Sequence, residues 1–270
     1  MIHLRSIQVR KFKPWPERFP YTVPVIAALD QLDFTAPVTF LVGENGTGKS
    51  TLLEAVASAA GSITVGSEGV ERDPTLAVVR ELAKDFRLTW NKRTRKGFFM
   101  RSEDFFGFAR RMEKTREEMQ RSLDEVERDY KGRSDYAKGL ASMPYQRELY
   151  EMEARYGEGV DARSHGESYL NLFRARFVPG GLYLLDEPEA PLSPRRQLAF
   201  LLVLKEMVDQ DGQFIIATHS PILMGYPGAE ILSCDSGKLE KVAYEELEHV
   251  AITKGFLDNP KLYLRELGLL

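Results

Sequence analysis

The sequence predicts an α/β fold with a helical subdomain inserted near its middle. Three observations carry this reading. Val38–Val42 is an unbroken apolar run that passes through a glycine-rich turn into an apolar-rich segment from Lys49 to about Ala59, the pattern of a strand, a loop and a helix. Leu182–Asp186 is a second such run, followed by a helical stretch over Pro194–Asp209 and a further apolar run at Gln213–Thr218, so the alternation resumes after Gly181. Between them the chain turns charged and helical. Met112, Met119, Leu123, Val126 and Tyr130 recur at spacings of seven, four, three and four, one apolar stripe on a helix from about Asp104 to Tyr130.

The remaining elements follow in order. Ile2–Val9 alternates apolar and polar residues as a half-buried strand does. Arg87–Thr89 and Phe98–Met100 read as the arms of a hairpin whose basic tip is Lys92, Arg93, Thr94, Arg95 and Lys96. A second helix is expected over Pro144–Tyr156, and Ser193 stands as N-cap to a helix with Pro194 at its first position. The expected division places 1–90 and 165–270 in a core and 91–164 in the insert.

Composition bounds the possible functions. A chain of 270 residues, 43% hydrophobic, can bury a full core and exceeds a typical single domain. A net charge of -3 and a pI near 5.9 exclude an overall basic protein, so any nucleic-acid surface is local. One cysteine, Cys234, cannot form an internal disulfide and suits a reducing compartment; it reads as a buried spectator. The first ten residues alternate like a strand and hold no apolar core of a signal peptide. The apolar run Leu198–Leu204 is too short to cross a bilayer. A cytoplasmic protein with no direct membrane insertion is expected. His3, His165, His219 and His249 show no metal-ligand spacing.

Two motifs carry chemistry. Gly43-Glu44-Asn45-Gly46-Thr47-Gly48-Lys49-Ser50 fits G-x-x-x-x-G-K-[ST] in full and is followed by Thr51. Glycines free the backbone N–H groups to wrap phosphates, and the next helix directs its positive end at them. Lys49 neutralises the outer phosphates and the Ser50 hydroxyl ligates Mg²⁺. The nucleotide-binding set is thus Gly43 to Thr51, with ATP and Mg²⁺ as ligands. Leu182-Tyr183-Leu184-Leu185-Asp186-Glu187 ends an apolar strand in two carboxylates at the edge where a parallel sheet binds ligands. Asp186 is assigned to Mg²⁺ with Ser50, and Glu187 to orienting or deprotonating the attacking water.

The order of further segments resembles the ABC-type ATPases, closest to their soluble SMC, RecF and OLD-like members. Ser164-His165-Gly166-Glu167-Ser168 is similar to the family's signature motif, with His165 and Glu167 where a glycine and a glutamine are usual. Leu192-Ser193 falls at the D-loop, with serine in place of aspartate. Thr218-His219-Ser220-Pro221 falls at the switch histidine, 33 residues after Asp186. Phe99–Glu103 occupies the place of the Q-loop, with Glu103 the candidate for its glutamine. The resemblance implies a P-loop NTPase fold of ABC type and catalytic roles for Glu187, His219 and Lys49. It also implies a homodimer formed on ATP binding, in which Ser164 and Gly166 of one subunit contact the nucleotide held by the other. Phe12, Trp15, Phe19 and Tyr21 are the candidates for stacking on adenine.

Three outputs are compatible with this chemistry. One is a soluble DNA-associated or defence-related ATPase, contacting DNA through the basic 92–96 segment. Lys92 to Arg133 carries 13 Lys or Arg against 9 Asp or Glu, a local excess of +4 that also fits a solvated face. The interval before Ser164 is too short for long SMC arms. The second is the ATP-binding subunit of a transporter, with the insert docking a permease. The third is an ATP-gated regulator of a separate effector protein. With about fifty residues after His219, no OLD-type nuclease domain is expected.

Overall fold

The computed structural model describes residues 1–10, 15–64, 76–156 and 165–270. The elements in chain order are β1 (Leu4–Val9), α1 (Pro24–Ala27), β2 (Gln31–Asp33), β3 (Val38–Val42), α2 (Lys49–Ala60), α3 (Val79–Ala83), β4 (Phe86–Trp90) and β5 (Gly97–Arg101). Three helices follow, α4 (Ser102–Asp129), α5 (Asp135–Tyr156) and α6 (His165–Arg176). Then come β6 (Leu182–Asp186), α7 (Pro194–Asp209), β7 (Gln213–Ala217), α8 (Pro221–Met224), β8 (Glu230–Ser233), β9 (Glu240–Lys241), α9 (Glu248–Asp258) and α10 (Pro260–Glu266). Met1–Ser102 with Val178–Leu270 form one compact unit, and Glu103–Phe177 form a second. No helix among the described residues is long and apolar enough to cross a membrane.

The first unit holds two sheets. The larger has the order β5-β6-β7-β3-β8-β9 and is parallel except for β9, which lies antiparallel on β8. β3, β6 and β7 are buried at every position, which is why each reads as a continuous apolar run; parallel strands are covered on both faces. On one face Phe98, Tyr183 and Phe214 stand in register, with ring centroids 5.2 Å and 4.9 Å apart. On the other, Phe99, Leu184 and Ile215 join a core that includes Leu52, Leu53 and Val56 of α2 and Leu4 and Ile7 of β1. The helix that follows the phosphate-type loop is therefore held between the large sheet and a small antiparallel sheet of order β2-β1-β4.

Gln213 ties the two sheets together. It is fully buried at the start of β7, and its Oε1 accepts from the backbone N–H groups of His3 (2.8 Å) and Leu4 (2.7 Å) while its Nε2 donates to Leu4 O (2.9 Å). Leucine at this position would leave two donors and an acceptor buried without partners, at about 1–3 kcal/mol each. Gln213→Leu is therefore expected to lower unfolding stability by at least about 3 kcal/mol in urea. A loss below about 1 kcal/mol would mean that the three groups find other partners.

The expected hairpin is corrected. Arg87–Thr89 lies in β4 and Phe98–Met100 in β5, but β4 pairs antiparallel with β1 and β5 pairs parallel with β6, so the arms belong to different sheets. Lys92–Lys96 lies in the connection between them, residues 91–96. The short spacing suits a hairpin, yet the burial patterns differ: β4 alternates, whereas Phe98, Phe99 and Met100 are all buried. Gly97 makes the crossover possible. Its φ is +108°, and a Cβ there would lie 1.8 Å from Leu182 O.

In the helical unit, α4 follows the expected stripe, and Met112, Met119, Leu123, Val126 and Tyr130 are half-buried. α5 starts at Asp135 rather than at Pro144, which sits inside it. A proline costs a helix one backbone hydrogen bond, and this helix continues through the loss. Arg116 and Glu153 (3.6 Å), and Lys138 and Glu127, pair α4 with α5. α6 packs on α5, so this unit closes at Phe177 rather than 164; it opens at Glu103 rather than 91 because β5 belongs to the large sheet.

Candidate functional site

The sheet register brings three strand ends to one level. Leu41 of β3 and Asp186 of β6 each stand beside Ala217 of β7, so the residues after them, Gly43–Lys49, Glu187 and Thr218–His219, emerge at one carboxyl edge. In a parallel sheet this edge is where ligands bind.

The loop after β3 wraps a buried cation. Lys49 Nζ donates to Gly43 O (2.7 Å) and Glu44 O (3.0 Å), and the residue is only 5% exposed. Burial pushes its ammonium below the ordinary range, against an upward pull from Cys234, Glu187, Asp186 and Asp235. Gly48 ends the loop at φ +103°, and a Cβ there would approach Val23 Cγ1 to 2.3 Å. Thr47 Oγ1 donates to Glu44 O (2.9 Å), and the Glu44 N–H donates to Asp235 Oδ1 (2.7 Å), which anchors the loop to the end of β8. Asn45 and Gly46 lie exposed at the tip; Ser50 and Thr51 open α2 half-buried.

Asp186 meets the helix start. Ser50 Oγ donates to Asp186 Oδ1 at 3.1 Å, and burial raises this carboxyl to about 6 even though the Ser50 hydrogen bond acts downward. Two hard oxygen donors so placed suit a magnesium ion, whose charge would offset the buried carboxylate. Glu187 adopts φ 49°, a conformation that is strained for a non-glycine residue. It is held there by its N–H to Ala217 O (2.9 Å) and its O to the Ala190 N–H (3.1 Å).

His219 closes the group. Its backbone N–H donates to Glu189 Oε1 (2.7 Å), and its Nε2 is buried without a hydrogen-bond partner, 3.8 Å from Glu187 Oε1. Burial first, and Lys49 next, hold the ring below its ordinary range, so it is neutral near pH 7. A neutral imidazole with an unpartnered nitrogen near a carboxylate fits an incoming phosphate oxygen or water. Ser220 caps α8 and donates to Gln197 Oε1 (2.5 Å), which fixes the turn behind His219.

Other expected residues lie elsewhere. Ser164 and Phe12 fall outside the described residues, and Gly166 stands in the first turn of α6, in the helical unit. Glu103 is the first residue of that unit. Leu192 is buried, and Ser193 is the N-cap residue of α7 without a side-chain hydrogen bond. Trp15 packs edge-on against Tyr21 (5.2 Å), whose hydroxyl donates to Asp85 Oδ2 (3.2 Å); both belong to the core margin, whereas Phe19 is 52% exposed. Sequence reasoning passed over Glu189, Asp235, His249 and Arg101. Arg101 stands beside Asp186 in the sheet register and pairs with Glu54 (3.7 Å). Strand ends on neighbouring strands were the available signal for Arg101 and Asp235.

A family model described as an AAA domain matches residues 26–137, which include the phosphate-type loop. No curated protein sequence matches the chain significantly. Among solved structures the chain is similar to the Smc head domain with an extended coiled coil bound to the C-terminal domain of ScpA from Pyrococcus furiosus. That match has 13% identity, covers 95% of this chain and 100% of that one, and has a TM-score of 0.47. It is also similar to the ADP conformation of an ATP-binding cassette of an ABC transporter, at 16% identity, 99% of each chain and a TM-score of 0.45. CbiO1 from Clostridium perfringens, part of an ABC transporter complex, matches at 16% identity over 98% of this chain and 100% of that one, with a TM-score of 0.46. The loop, the parallel sheet and the acidic strand end make this an α/β fold of the P-loop ATPase type.

Proposed function

We propose that the chain binds Mg-ATP at the carboxyl edge of its large sheet and hydrolyses it. The observation that carries this reading is the unpartnered His219 Nε2, buried 3.8 Å from Glu187 Oε1 at the level of the Lys49 loop. In this reading the N–H groups of Gly43 to Thr51 and the Lys49 ammonium hold the phosphates, with Ser50 and Asp186 as the magnesium ligands. Bound magnesium would supply charge neutralisation at the phosphates. Glu187 accepts the proton of the attacking water, and His219 meets the γ-phosphate. Ser164 and Gly166 complete the site on the ATP of a second copy, so turnover belongs to a head-to-tail dimer. The test is calorimetry with Mg-ATP followed by phosphate release from the same sample. Binding with release supports the proposal, and absence of binding overturns it.

A soluble DNA-associated role is the output favoured by one further feature. Lys92, Arg93, Arg95 and Lys96 are exposed, and three of them line a cavity of about 300 Å³ with Trp90 and, among the described residues, no carboxylate. Cations beside an aromatic suit single-stranded nucleic acid. Reversing these four charges is expected to weaken binding of an oligonucleotide and to flatten its salt dependence, since fewer counterions are released. No binding by the parent protein at low salt would end this reading and leave a partner protein as the output.

A further inference from the structure

The segment after β9 returns to the candidate site. Tyr244 Oη donates to Pro221 O (3.1 Å), Leu247 is buried ahead of α9, and α9 touches α8, the short helix that begins two residues after His219. Through this fastening the second residue of α9, His249, is set against His219. Its Nε2 lies 3.4 Å from His219 Nδ1 and 3.9 Å from Glu44 Oε1. Most of α9 and α10 is exposed, whereas the His249 side chain is only 19% exposed.

Two facing ring nitrogens can share only one proton, so the pair has two arrangements. In the first, His249 Nε2–H donates to His219 Nδ1, and the proton of His219 sits on Nε2, facing Glu187. In the second, His219 Nδ1–H donates, and its bare Nε2 lone pair faces the Glu187 carboxylate. Glu187 at 3.8 Å opposes the second, since its carboxylate would face a lone pair rather than an N–H. We propose that His249 is a positioning residue that fixes the His219 ring in the tautomer with its proton on Nε2, so that a neutral donor points into the site. This rests on the ATPase reading for its consequence, but the tautomer itself does not.

The fixed donor matters because His219 is neutral and its ring cannot turn over without losing the His249 contact. With Glu189 holding its backbone and His249 its ring, the imidazole is preorganised for a phosphate oxygen or for the water that Glu187 deprotonates.

The experiment has a spectroscopic arm and a kinetic arm. Long-range ¹H–¹⁵N spectra of the nucleotide-free protein at pH 8 report the tautomer of each of the four histidines, with His219→Ala and His249→Ala giving the assignments. His219 protonated on Nε2, with Nδ1 shifted as a hydrogen-bond acceptor, and with that shift lost in His249→Ala, supports the proposal. His219 protonated on Nδ1, or a spectrum indifferent to His249, overturns it. In steady-state turnover, His249→Ala is expected to lower kcat about tenfold, the size of one neutral hydrogen bond, with ATP affinity within about twofold. His249→Gln, whose amide can donate, should recover most of the rate. In a His219→Ala background the same change should cost nothing more. An equal loss in both backgrounds, or parallel losses in affinity and rate, would assign His249 to structure and overturn the proposal. If the parent protein turns over no ATP, the hydrolysis reading fails, and the spectra alone decide the role of His249.

Discussion

Glu187→Gln is expected to lower ATP turnover by about 10²–10⁴-fold, the range of a lost general base, while Mg-ATP affinity stays close to that of the parent. The separation follows from the geometry. Lys49 and the Ser50–Asp186 pair, which hold the phosphates and metal in the proposed site, make no hydrogen bond to Glu187. Glutamine keeps the size of the side chain and the backbone bonds to Ala217 and Ala190 that hold φ at 49°. Only the capacity to take a proton is removed. Uncleaved nucleotide then persists, and in a head-to-tail dimer it favours the closed pair by mass action. Light scattering on Glu187→Gln with Mg-ATP is expected to give twice the monomer mass, returning to monomer when Ser164→Arg adds bulk and charge to the interface. Turnover within about twofold of the parent would remove Glu187 from the chemistry. A mass unresponsive to ATP in this variant would remove the head-to-tail dimer.

The parts of the site legible in the sequence are those set by local pattern. The loop at Gly43–Ser50 could be read because a continuous apolar strand enters it and an apolar-rich helix leaves it. Asp186 was placed because β6 is buried on both faces and ends where the carboxylates begin. The misreading at Lys92–Lys96 has a physical cause. A six-residue link is as compatible with a crossover between sheets as with a hairpin, and only the burial of Phe98, Phe99 and Met100 against the alternation of β4 separates the two. Pro144 misled for a similar reason, since a proline that begins a helix and one that interrupts it look alike locally. Asp235 had only the weak signal of a strand end, and Glu189 and His249 had none, because their contacts depend on how distant elements are brought together. His249 is 30 residues from His219, and Asp235 is 191 residues from Glu44. The pairing of β3 with β8 brings Asp235 to Glu44, and the packing of α9 on α8 brings His249 to His219.

Lys49→Ala is expected to reduce Mg-ATP affinity by about 10- to 200-fold, the equivalent of losing a charged hydrogen bond of about 1.5–3 kcal/mol. The side chain acts through its ammonium and through its buried stem, and two substitutions separate these. In the structure the ammonium donates to the carbonyls of Gly43 and Glu44 and so braces the loop from inside; with nucleotide bound it would turn toward the outer phosphates. Lys49→Met keeps the buried stem but removes the ammonium and both of its tasks, whereas Lys49→Ala removes the stem as well. If the ammonium dominates, the two variants lose affinity to the same extent in calorimetry. If packing of the stem contributes, methionine loses less than alanine. Because Lys49 opens α2 rather than sitting in the central core, circular dichroism and the urea midpoint of both variants should remain near those of the parent. An affinity for Mg-ATP unchanged in Lys49→Met would show that no phosphate charge is balanced here, and the nucleotide site would have to be sought away from the Gly43–Ser50 loop.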